Sequence, residues 1–546
     1  MEGKSSSRKS KFLVNAGEKL KELSSKPNFI YQLGISILVL LLFLPFFIFV
    51  INIFRQSGQF SLDGFRNAFG SSTSWHLISQ TLILAFGSLF VALLAGLSLG
   101  FFFNATQFPL RRLFLAALLF PLCLPSYLWV LGWELILGRQ GYLQELLWEN
   151  AGDFTAPFLF SDLGAIFIFG IYYSGVIVIS VMLFLALKRY SFIPDSNQSW
   201  MKNFFGFVFS YLKSSLFCFS AFLIVLMGYR DFGGSSLLGR ETLSTEIFSF
   251  FSTFYNYDSI VAPGIVILVF SLIFWMIWEL GIKKHLLGFV GSERRRELVF
   301  LNTGKWQTAL FWMFMFLVTA FYFFPIWVFF LKSGGMEFYW EALKGGWGSI
   351  LRTMVFSVLG SLVLVSFVLA IDRFIGVTNK TYASCVEKIF AFIFFIPGIL
   401  TGVLLNRFWN HSWSAWIYTS YAIVFLGIVT QYVYPFWFGK KLFGENPNVQ
   451  VHSPKHSEAQ TNFFRKILSP FNDVRNFALV MGGLILFLRE MGSSVLLYPP
   501  GQEPLLIKIF TLKPIETEPV IAGMAVIYLV LISIPITILV LRFRKI

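Results

Sequence analysis

The sequence predicts an all-α polytopic membrane protein, built from two six-helix repeats with about twelve transmembrane helices. The first observation is composition: of 546 residues, 56% are hydrophobic and only 13% are charged, whereas soluble domains carry about 25% charged residues. The second is a series of apolar runs, each close to the roughly 20 residues that cross a bilayer as a helix. The third is a short charged pattern that occurs twice in the chain.

Residues 1–28 are expected to form a cytoplasmic amphipathic tail. They contain seven Lys/Arg and three acidic residues, and several apolar side chains are spaced to share one helical face (Phe12, Leu13, Ala16, Leu20 and Leu23). A short helix of this kind typically lies in the plane of the membrane surface.

Twelve apolar runs follow, and each is predicted to span the membrane. They divide into a first transmembrane repeat at 29–282 and a second at 309–546, joined by a cytoplasmic linker at 283–308. The runs are 29–53, 77–103, 113–137, 163–187, 214–238, 259–282, 309–331, 351–371, 389–408, 416–438, 476–498 and 520–541. An even number of spans places both termini on the same side.

The orientation follows from the distribution of basic residues. With the N-terminus inside, 31 of the 43 Lys/Arg fall in the tail, the inner loops and the C-terminal end. Because cytoplasmic loops carry an excess of Lys and Arg, both termini are predicted to be cytoplasmic. The net charge of +15 is therefore a topology signal, and a nucleic-acid partner is not needed to explain it.

The duplicated pattern consists of Arg, an acid, an apolar residue, Gly, Ser-Ser and Leu-Leu, with small variations. It begins at Arg230 and again at Arg489, 259 positions later. Other correspondences have nearly the same spacing: Gly87 and Gly360 are 273 apart, and Pro125 and Pro397 are 272 apart. Several matches in the same order indicate a duplicated unit, which is common among transporters.

Each copy of the pattern begins with an Arg followed by an acid, which we call the charged step. Placing these charges inside an apolar run costs free energy. Arg230, Asp231, Arg489 and Glu490 would each cost about 2.5 to 3.5 kcal/mol at the centre of a lone membrane helix. Successive helical positions point about 100° apart, so neither pair can meet within its own helix. We therefore predict that these residues line the outer end of a translocation path. The alternatives are that they anchor helix ends at the interface or pair across the two halves.

Prolines within apolar runs form a second set of candidates for the path. Pro125 and Pro397 each remove a helical hydrogen bond and are predicted to kink helices around the pathway. The alternative is that they are ordinary membrane-helix prolines.

Several kinds of catalytic and metal site are absent from the sequence. It contains no G-x-x-x-x-G-K-[ST], H-E-x-x-H or C-x-x-C motif, and its three cysteines are scattered. His452 and His456 could share a helix face, but they have no nearby carboxylate or thiol within the motif. We therefore expect neither an enzyme nor a bound cofactor or metal.

The charged repeats and their flanks resemble the fused, two-repeat permease subunits of bacterial ABC importers, particularly the ferric-iron and thiamine branch. The resemblance rests on Arg489 through Gly501 with Glu503 and Leu505, on Asp231 through Ile247, and on the inner turn Phe108-Pro109-Leu110-Arg111-Arg112. It extends over nearly the whole chain.

This resemblance implies a type I ABC-importer permease fold with two permease repeats in the bacterial inner membrane. It also implies an extracytoplasmic solute-binding protein outside, two ATPase subunits inside, and a small solute as cargo, with ferric iron favoured. The inner loops 188–213 and 439–475 would couple to the ATPases, with candidate residues in both (Pro194, Tyr211, Ser457, Glu458 and Pro470). Ser457 stands where the family pattern has Gly.

Two other functions stay open from the sequence. One is a self-sufficient secondary transporter, because Asp372-Arg373-Phe374-Ile375-Gly376 is similar to a loop of the major facilitator class. The other is a non-transporting membrane scaffold descended from a permease, suggested by the divergent coupling loops.

Overall fold

The computed structural model describes residues 27–56, 59–60, 62–105, 111–146, 151–186, 199–255, 257–290, 305–444 and 474–543. Regular structure in these ranges is almost entirely helical, which confirms the all-α polytopic class. The exception is a pair of two-residue antiparallel strands, Arg55–Gln56 (β1) and Gln59–Phe60 (β2). The predicted tail lies outside the described residues up to residue 26, as do residues 291–304 of the predicted linker.

We call residues 27–290 the first half of the chain and residues 305–543 the second half. The helices of the first half are α1 (Pro27–Phe54), α2 (Asp63–Gly70), α3 (Ser72–Ala105), α4 (Arg111–Cys123), α5 (Ser126–Leu137), α6 (Tyr142–Leu146), α7 (Ala151–Leu159), α8 (Asp162–Ala186), α9 (Trp200–Leu212), α10 (Ser215–Arg230), α11 (Gly233–Leu237), α12 (Leu243–Phe254), α13 (Tyr257–Ile277) and α14 (Lys283–Val290). A π-helical turn at Trp278–Ile282 connects α13 to α14.

The second half follows a similar order of long and short helices. They are α15 (Lys305–Lys332), α16 (Met336–Val377), α17 (Lys380–Phe395), α18 (Gly398–Trp409), α19 (Ala415–Tyr418), α20 (Ala422–Gly444), α21 (Val474–Arg489), α22 (Ser494–Leu497), α23 (Leu505–Leu512) and α24 (Glu518–Phe543). A short 3₁₀ turn at Ser412–Ser414 precedes α19.

Every predicted membrane run has a helical counterpart in the structure. Within the described ranges, eight helices are long and apolar enough to cross a membrane, and three further pairs of helices qualify as bent spans. A shorter apolar helix at Asn476–Arg489 accounts for the remaining run. The apolar runs therefore located the helices correctly, but several of them are broken where the sequence predicts continuous spans.

Both prolines mark breaks sharper than the predicted kinks. The pair α4 and α5, separated at Pro125, is bent by 109°, and the pair α17 and α18, separated at Pro397, is also bent by 109°. Each proline has extended backbone angles, with ψ of 142° and 145°. Because proline has no N–H and its ring clashes with the preceding turn, it suits the start of the second helix of each pair.

The predictions of continuous helices across both charged steps are wrong. Helix α10 ends at Arg230 and α21 ends at Arg489, so the runs 214–238 and 476–498 are each interrupted. A new short helix, α11 or α22, begins a few residues later. The physical reason is that Asp231 accepts the N–H of Ser235 in α11, and Glu490 accepts the N–H groups of Gly492 and Ser493 just before α22. Side-chain caps of this kind favour a new helix start over continuation.

Part of the predicted inner loop 188–213 is also helical. Helix α9 occupies Trp200–Leu212 and meets α10 at a bend of 74°. Ser214 caps α10, since its side-chain oxygen accepts the backbone N–H of Phe217 at 3.2 Å. This cap explains why the chain turns here instead of forming one long helix.

The first helix of each half packs extensively on the other half. Helix α1 packs against α16 and α18, and α15 packs against α4 and α5. At Gly132 of α5, an added Cβ would lie 2.2 Å from the carbonyl oxygen of Pro325 in α15. The two backbones therefore approach so closely that only glycine fits at this position.

One hydrogen bond recurs at matching places in the two halves. The hydroxyl of Thr81 in α3 accepts the backbone N–H of Leu243 at the start of α12, at 3.1 Å. The hydroxyl of Thr353 in α16 likewise accepts the backbone N–H of Leu505 at the start of α23, at 2.8 Å. Each bond satisfies an N–H that has no partner within its own helix.

Candidate functional site

A cavity of about 350 Å³ lies between the two halves of the chain. Its walls come from matching elements in each half, and both charged steps lie on it. The lining residues include Ser126, Tyr172, Tyr173, Arg230, Asp231, Phe394, Gly398, Gln431, Tyr432, Arg489 and Glu490. The four charged residues that were predicted from the sequence are thus brought together around one space.

Arg489 reaches from the second half into the first. Its Nη1 donates to the carbonyl oxygen of Leu122 at 2.7 Å, and its Nη2 donates to the hydroxyl of Tyr172 at 3.2 Å. The Tyr172 hydroxyl in turn donates to the carbonyl oxygen of Leu124 at 2.6 Å. That carbonyl precedes Pro125, so the tyrosine satisfies an acceptor beside the helix break.

Arg230 makes the reciprocal crossing from the first half into the second. Its Nη2 lies 3.4 Å from Oε1 of Gln431, and its guanidinium carbon lies 4.7 Å from the ring centroid of Phe394 and 5.6 Å from that of Tyr432. These distances are typical of cation–π contacts. Gln431 also donates to the carbonyl oxygen of Ile396, at 3.1 Å, beside the break at Pro397.

The two arginines make the same arrangement of contacts. In each half, the carbonyl before the proline accepts from a side chain of the following long helix: Tyr172 of α8 or Gln431 of α20. In each case the arginine of the opposite half contacts that same side chain. The two prolines do not line the cavity themselves, but the residues immediately after them, Ser126 and Gly398, do.

The acidic side chains face the starts of short helices. Asp231 Oδ1 accepts the backbone N–H and the hydroxyl of Ser235, at 3.0 and 3.2 Å. Glu490 Oε1 accepts the backbone N–H and the hydroxyl of Ser493, at 2.7 and 2.9 Å, and its Oε2 accepts the N–H of Gly492 at 3.1 Å. Hydrogen bonds from N–H and O–H groups stabilise carboxylates placed in this way.

Gly398 allows two chain segments to meet at the cavity wall. An added Cβ at this position would lie 2.9 Å from the backbone nitrogen of Ser493 and 3.0 Å from the carbonyl carbon of Gly492. The break after Pro397 therefore packs directly on the break after Glu490. A side chain at position 398 would force these two breaks apart.

Of the five candidate coupling residues, Tyr211 lies within the described residues. Tyr211 is fully buried, and its hydroxyl lies 2.9 Å from the hydroxyls of both Ser180 and Ser220. Its side chain thus secures α9 against the helical core and does not face outward. Pro194, Ser457, Glu458 and Pro470 lie outside the described residues.

The neutral polar residues of the cavity are not among the residues predicted from the sequence. Tyr172 and Tyr432 are 260 positions apart, close to the 259 that separates the two arginines, and both line the cavity. This matching offset was the available signal. Gln431 has no such signal, because the corresponding position before Tyr172 is Ile171.

The described part of the chain contains no group of three or more His, Cys, Asp or Glu side chains that could hold a metal ion. Asp231 and Glu490 are the carboxylic acids among the residues that line the cavity. The side chains that line this cavity therefore offer guanidinium, carboxylate, phenol and amide groups to a cargo.

Two curated proteins are similar to this chain. A putative ferric transport system permease protein, FbpB 1, of Haemophilus influenzae is 23% identical over 431 residues, covering 72% of this chain and 66% of its own length. A ferric transport system permease protein, FbpB, of Actinobacillus pleuropneumoniae is 24% identical over 410 residues, covering 69% of this chain and 58% of its own length. The matches thus span less than two thirds of either relative.

No protein-family model matches the chain, and no solved structure matches it. The two curated matches nevertheless extend over 72% and 69% of this chain. They confirm the resemblance that the sequence predicts: the chain is a polytopic membrane protein similar to the permease proteins of ferric transport systems.

Proposed function

We propose that this chain is the transmembrane permease subunit of an ABC importer, and that it forms the path for a small solute, with ferric iron favoured. The observation that carries the proposal is the charged cavity at the meeting point of both pairs of broken helices, in a chain similar to ferric transport permeases. Both relatives are named as permeases, which supports a transport component rather than an enzyme.

The proposed domain organisation is one permease repeat at 29–282 and a second at 309–546, with the cytoplasmic linker at 283–308 between them. Three repeated features support it: equal bends of 109° at the two prolines, the matching threonine hydrogen bonds, and the reciprocal arginine crossings. Each feature joins the same kinds of element in the same order.

Transport requires that the cavity opens alternately to the two sides of the membrane. A partner can drive such a change only if it binds the two arrangements with different affinities. The proposed partners are two ATPase subunits on the cytoplasmic side and a solute-binding protein on the outer side. The chain would lie in the bacterial inner membrane with both termini cytoplasmic, as its basic loops suggest.

The proposed ATPase-docking surface includes the coupling loops 188–213 and 439–475. Within the described part of the first loop, α9 exposes apolar side chains at intervals of four residues: Met201 (51% exposed), Phe205 (55%) and Phe209 (66%). Positions four apart lie on one face of a helix. The buried Tyr211 anchors the end of this helix and thereby links its position to α10.

The experiment is reconstitution of the chain in liposomes with a candidate ATPase and a candidate solute-binding protein from the same organism. We expect uptake of radioactive ⁵⁵Fe(III) from the loaded binding protein only when ATP is present on the ATPase side. Omission of ATP, of the ATPase or of the binding protein provides three matched controls. Transport by the chain without any ATPase would exclude the proposal.

The same assay separates the two other functions left open by the sequence. Uptake driven by a proton or sodium gradient without ATP would identify a secondary transporter. ATP hydrolysis that is stimulated by the chain without movement of any cargo would identify a scaffold.

A further inference from the structure

We propose that the cavity is an oxyanion site, in which Arg230 and Arg489 together hold an anion that travels with the cargo. The two guanidinium groups come from opposite halves of the chain and line the same space. The inference rests on the proposed function in one respect only, namely that the anion enters as part of a transported complex. Occupation of the site by an anion is a property of the chain by itself.

The two acids of the cavity are hydrogen-bonded to the protein itself. Asp231 and Glu490 are already engaged by backbone N–H groups and serine hydroxyls at the starts of α11 and α22. These hydrogen bonds already occupy part of the acceptor capacity of each carboxylate. Fewer of the carboxylate lone pairs are therefore left for a cation entering the cavity.

The two arginines have more hydrogen-bond donors than their protein partners use. A guanidinium group carries five N–H donors and no acceptor. Arg489 uses two of its nitrogens on Leu122 and Tyr172, and the contact of Arg230 with Gln431 is long, at 3.4 Å. Both side chains therefore keep donors for a ligand, and the planar fork of arginine matches carboxylate and phosphate oxygens.

Aromatic side chains surround one of the two arginines. Phe394 and Tyr432 cover Arg230 with aromatic rings, so the guanidinium lies in a partly dry setting where charge interactions are strong. Within the described residues, no cluster of acids, histidines or cysteines could hold a bare metal ion. The cavity thus favours an anionic complex over a naked trivalent cation.

Equilibrium binding to the purified full chain tests this proposal. The chain is placed in nanodiscs of phosphatidylcholine, which carries no net charge, and titrated with radiolabelled citrate and with inorganic phosphate. Hexaamminecobalt(III), a trivalent cation that does not exchange its ligands, is the opposite-charge probe. A second set of nanodiscs contains anionic phosphatidylglycerol and determines whether a lipid headgroup occupies the cavity instead.

The informative variants are Arg230→Gln and Arg489→Gln, each with its Lys counterpart. Arg407→Gln is the matched control, because Arg407 covers the ring of Tyr257 at 5.1 Å and does not line the cavity. Melting curves of each variant show whether it still folds. If Arg489→Gln fails to fold, Arg230→Gln alone decides, since the contacts of Arg230 with Gln431, Phe394 and Tyr432 are longer than those of Arg489 with Leu122 and Tyr172.

We expect saturable binding of citrate or phosphate to the unaltered chain and to Arg407→Gln. The dissociation constant should rise at least tenfold in each Gln variant, and less in each Lys variant. The proposal is overturned if neither anion binds, if binding does not depend on the arginines, or if hexaamminecobalt(III) binds and the anions do not. Displacement of the anions by phosphatidylglycerol at the same arginines would assign the site to lipid and would also overturn it.

This test is independent of the reconstitution assay. It needs no ATPase, binding protein or ATP. If anions bind through the arginines but ATP does not drive iron uptake, the oxyanion site is supported and the proposed function is wrong. ATP-driven uptake without anion binding would do the reverse.

Discussion

The hydroxyl of Tyr172 in the first half accepts a hydrogen bond from Nη2 of Arg489 in the second half, at 3.2 Å. The same hydroxyl donates to the carbonyl oxygen of Leu124, immediately before the break at Pro125. One phenol therefore connects a helix break in one half to a helix end in the other. Any rearrangement of the two halves must break or move this connection.

Replacement of this phenol tests how much the connection stabilises the protein. We expect Tyr172→Phe to lower the free energy of unfolding by about 2 kcal/mol, because a buried carbonyl and a guanidinium each lose a hydrogen bond. The decrease is measured as a lower apparent melting temperature by tryptophan fluorescence in detergent. Tyr382→Phe is the control, since the hydroxyl of Tyr382 bonds to Ser36 at an exposed position. Equal melting temperatures for the two variants would contradict the expectation.

Two substitutions at Asp231 distinguish the role of its negative charge from the role of its hydrogen-bond acceptor. Asp231→Asn keeps an oxygen that can accept the Ser235 N–H, so we expect near-normal stability and transport. Asp231→Ala removes this acceptor and should cost about 1 kcal/mol, as loss of a helix cap typically does. Both variants are compared in melting and in ⁵⁵Fe uptake. If Asn impairs uptake as strongly as Ala, the negative charge itself is required in the cavity.

The close approach of α5 and α15 predicts a large effect from a very small substitution. Gly132→Ala would place a Cβ 2.2 Å from the backbone oxygen of Pro325, which cannot rotate away. The helices must separate, and we expect a clear loss of thermal stability. Gly376→Ala is the matched control, because no atom lies within 4 Å of its added Cβ. It should be neutral or slightly stabilising, since alanine is favoured over glycine within helices by about 1 kcal/mol.

An ion pair between the halves provides a fourth test. Lys513 Nζ lies 2.5 Å from Oε1 of Glu134, whose side chain is only 18% exposed. The other oxygen of Glu134, Oε2, is buried without a hydrogen-bond partner among the described residues. We expect Lys513→Met to destabilise the protein by about 2 kcal/mol, because it leaves a carboxylate without its charged partner.

The double variant Glu134→Gln with Lys513→Met removes both charges and should recover part of that loss. A double-mutant cycle measured by thermal unfolding gives the coupling between the two residues. A coupling of zero would show that the pair does not hold the halves together.

The apolar runs and the charged repeats were predictable from the sequence because both are local patterns. The apolar composition predicted where the helices lie. The repeated pattern at Arg230 and Arg489 predicted two charged positions, and both line the cavity. The helix breaks at these residues were missed, because Gly233, Ser235 and the leucines that follow preserve an apolar average across the break. The acid followed by glycine and serine was the capping signal.

The partners of the arginines could not be predicted by any local pattern. Contacts such as Arg489 with Leu122 join residues more than 360 positions apart and depend on how the halves pack. Gln431 illustrates the difficulty: it is fully buried and does the work in the second half that a tyrosine does in the first. Because different side chains occupy these equivalent places, a comparison of the sequences of the two halves does not reveal them.

The exchange of first helices between the halves has a consequence for biosynthesis. Helix α1 is synthesised well before α16 and α18, the helices it packs against most extensively, which leave the ribosome more than 280 residues later. During this interval α1 must wait in the bilayer with one face covered by lipid. A chain cut between residues 290 and 305 would accordingly yield two fragments that mature only when both are synthesised in the same cell.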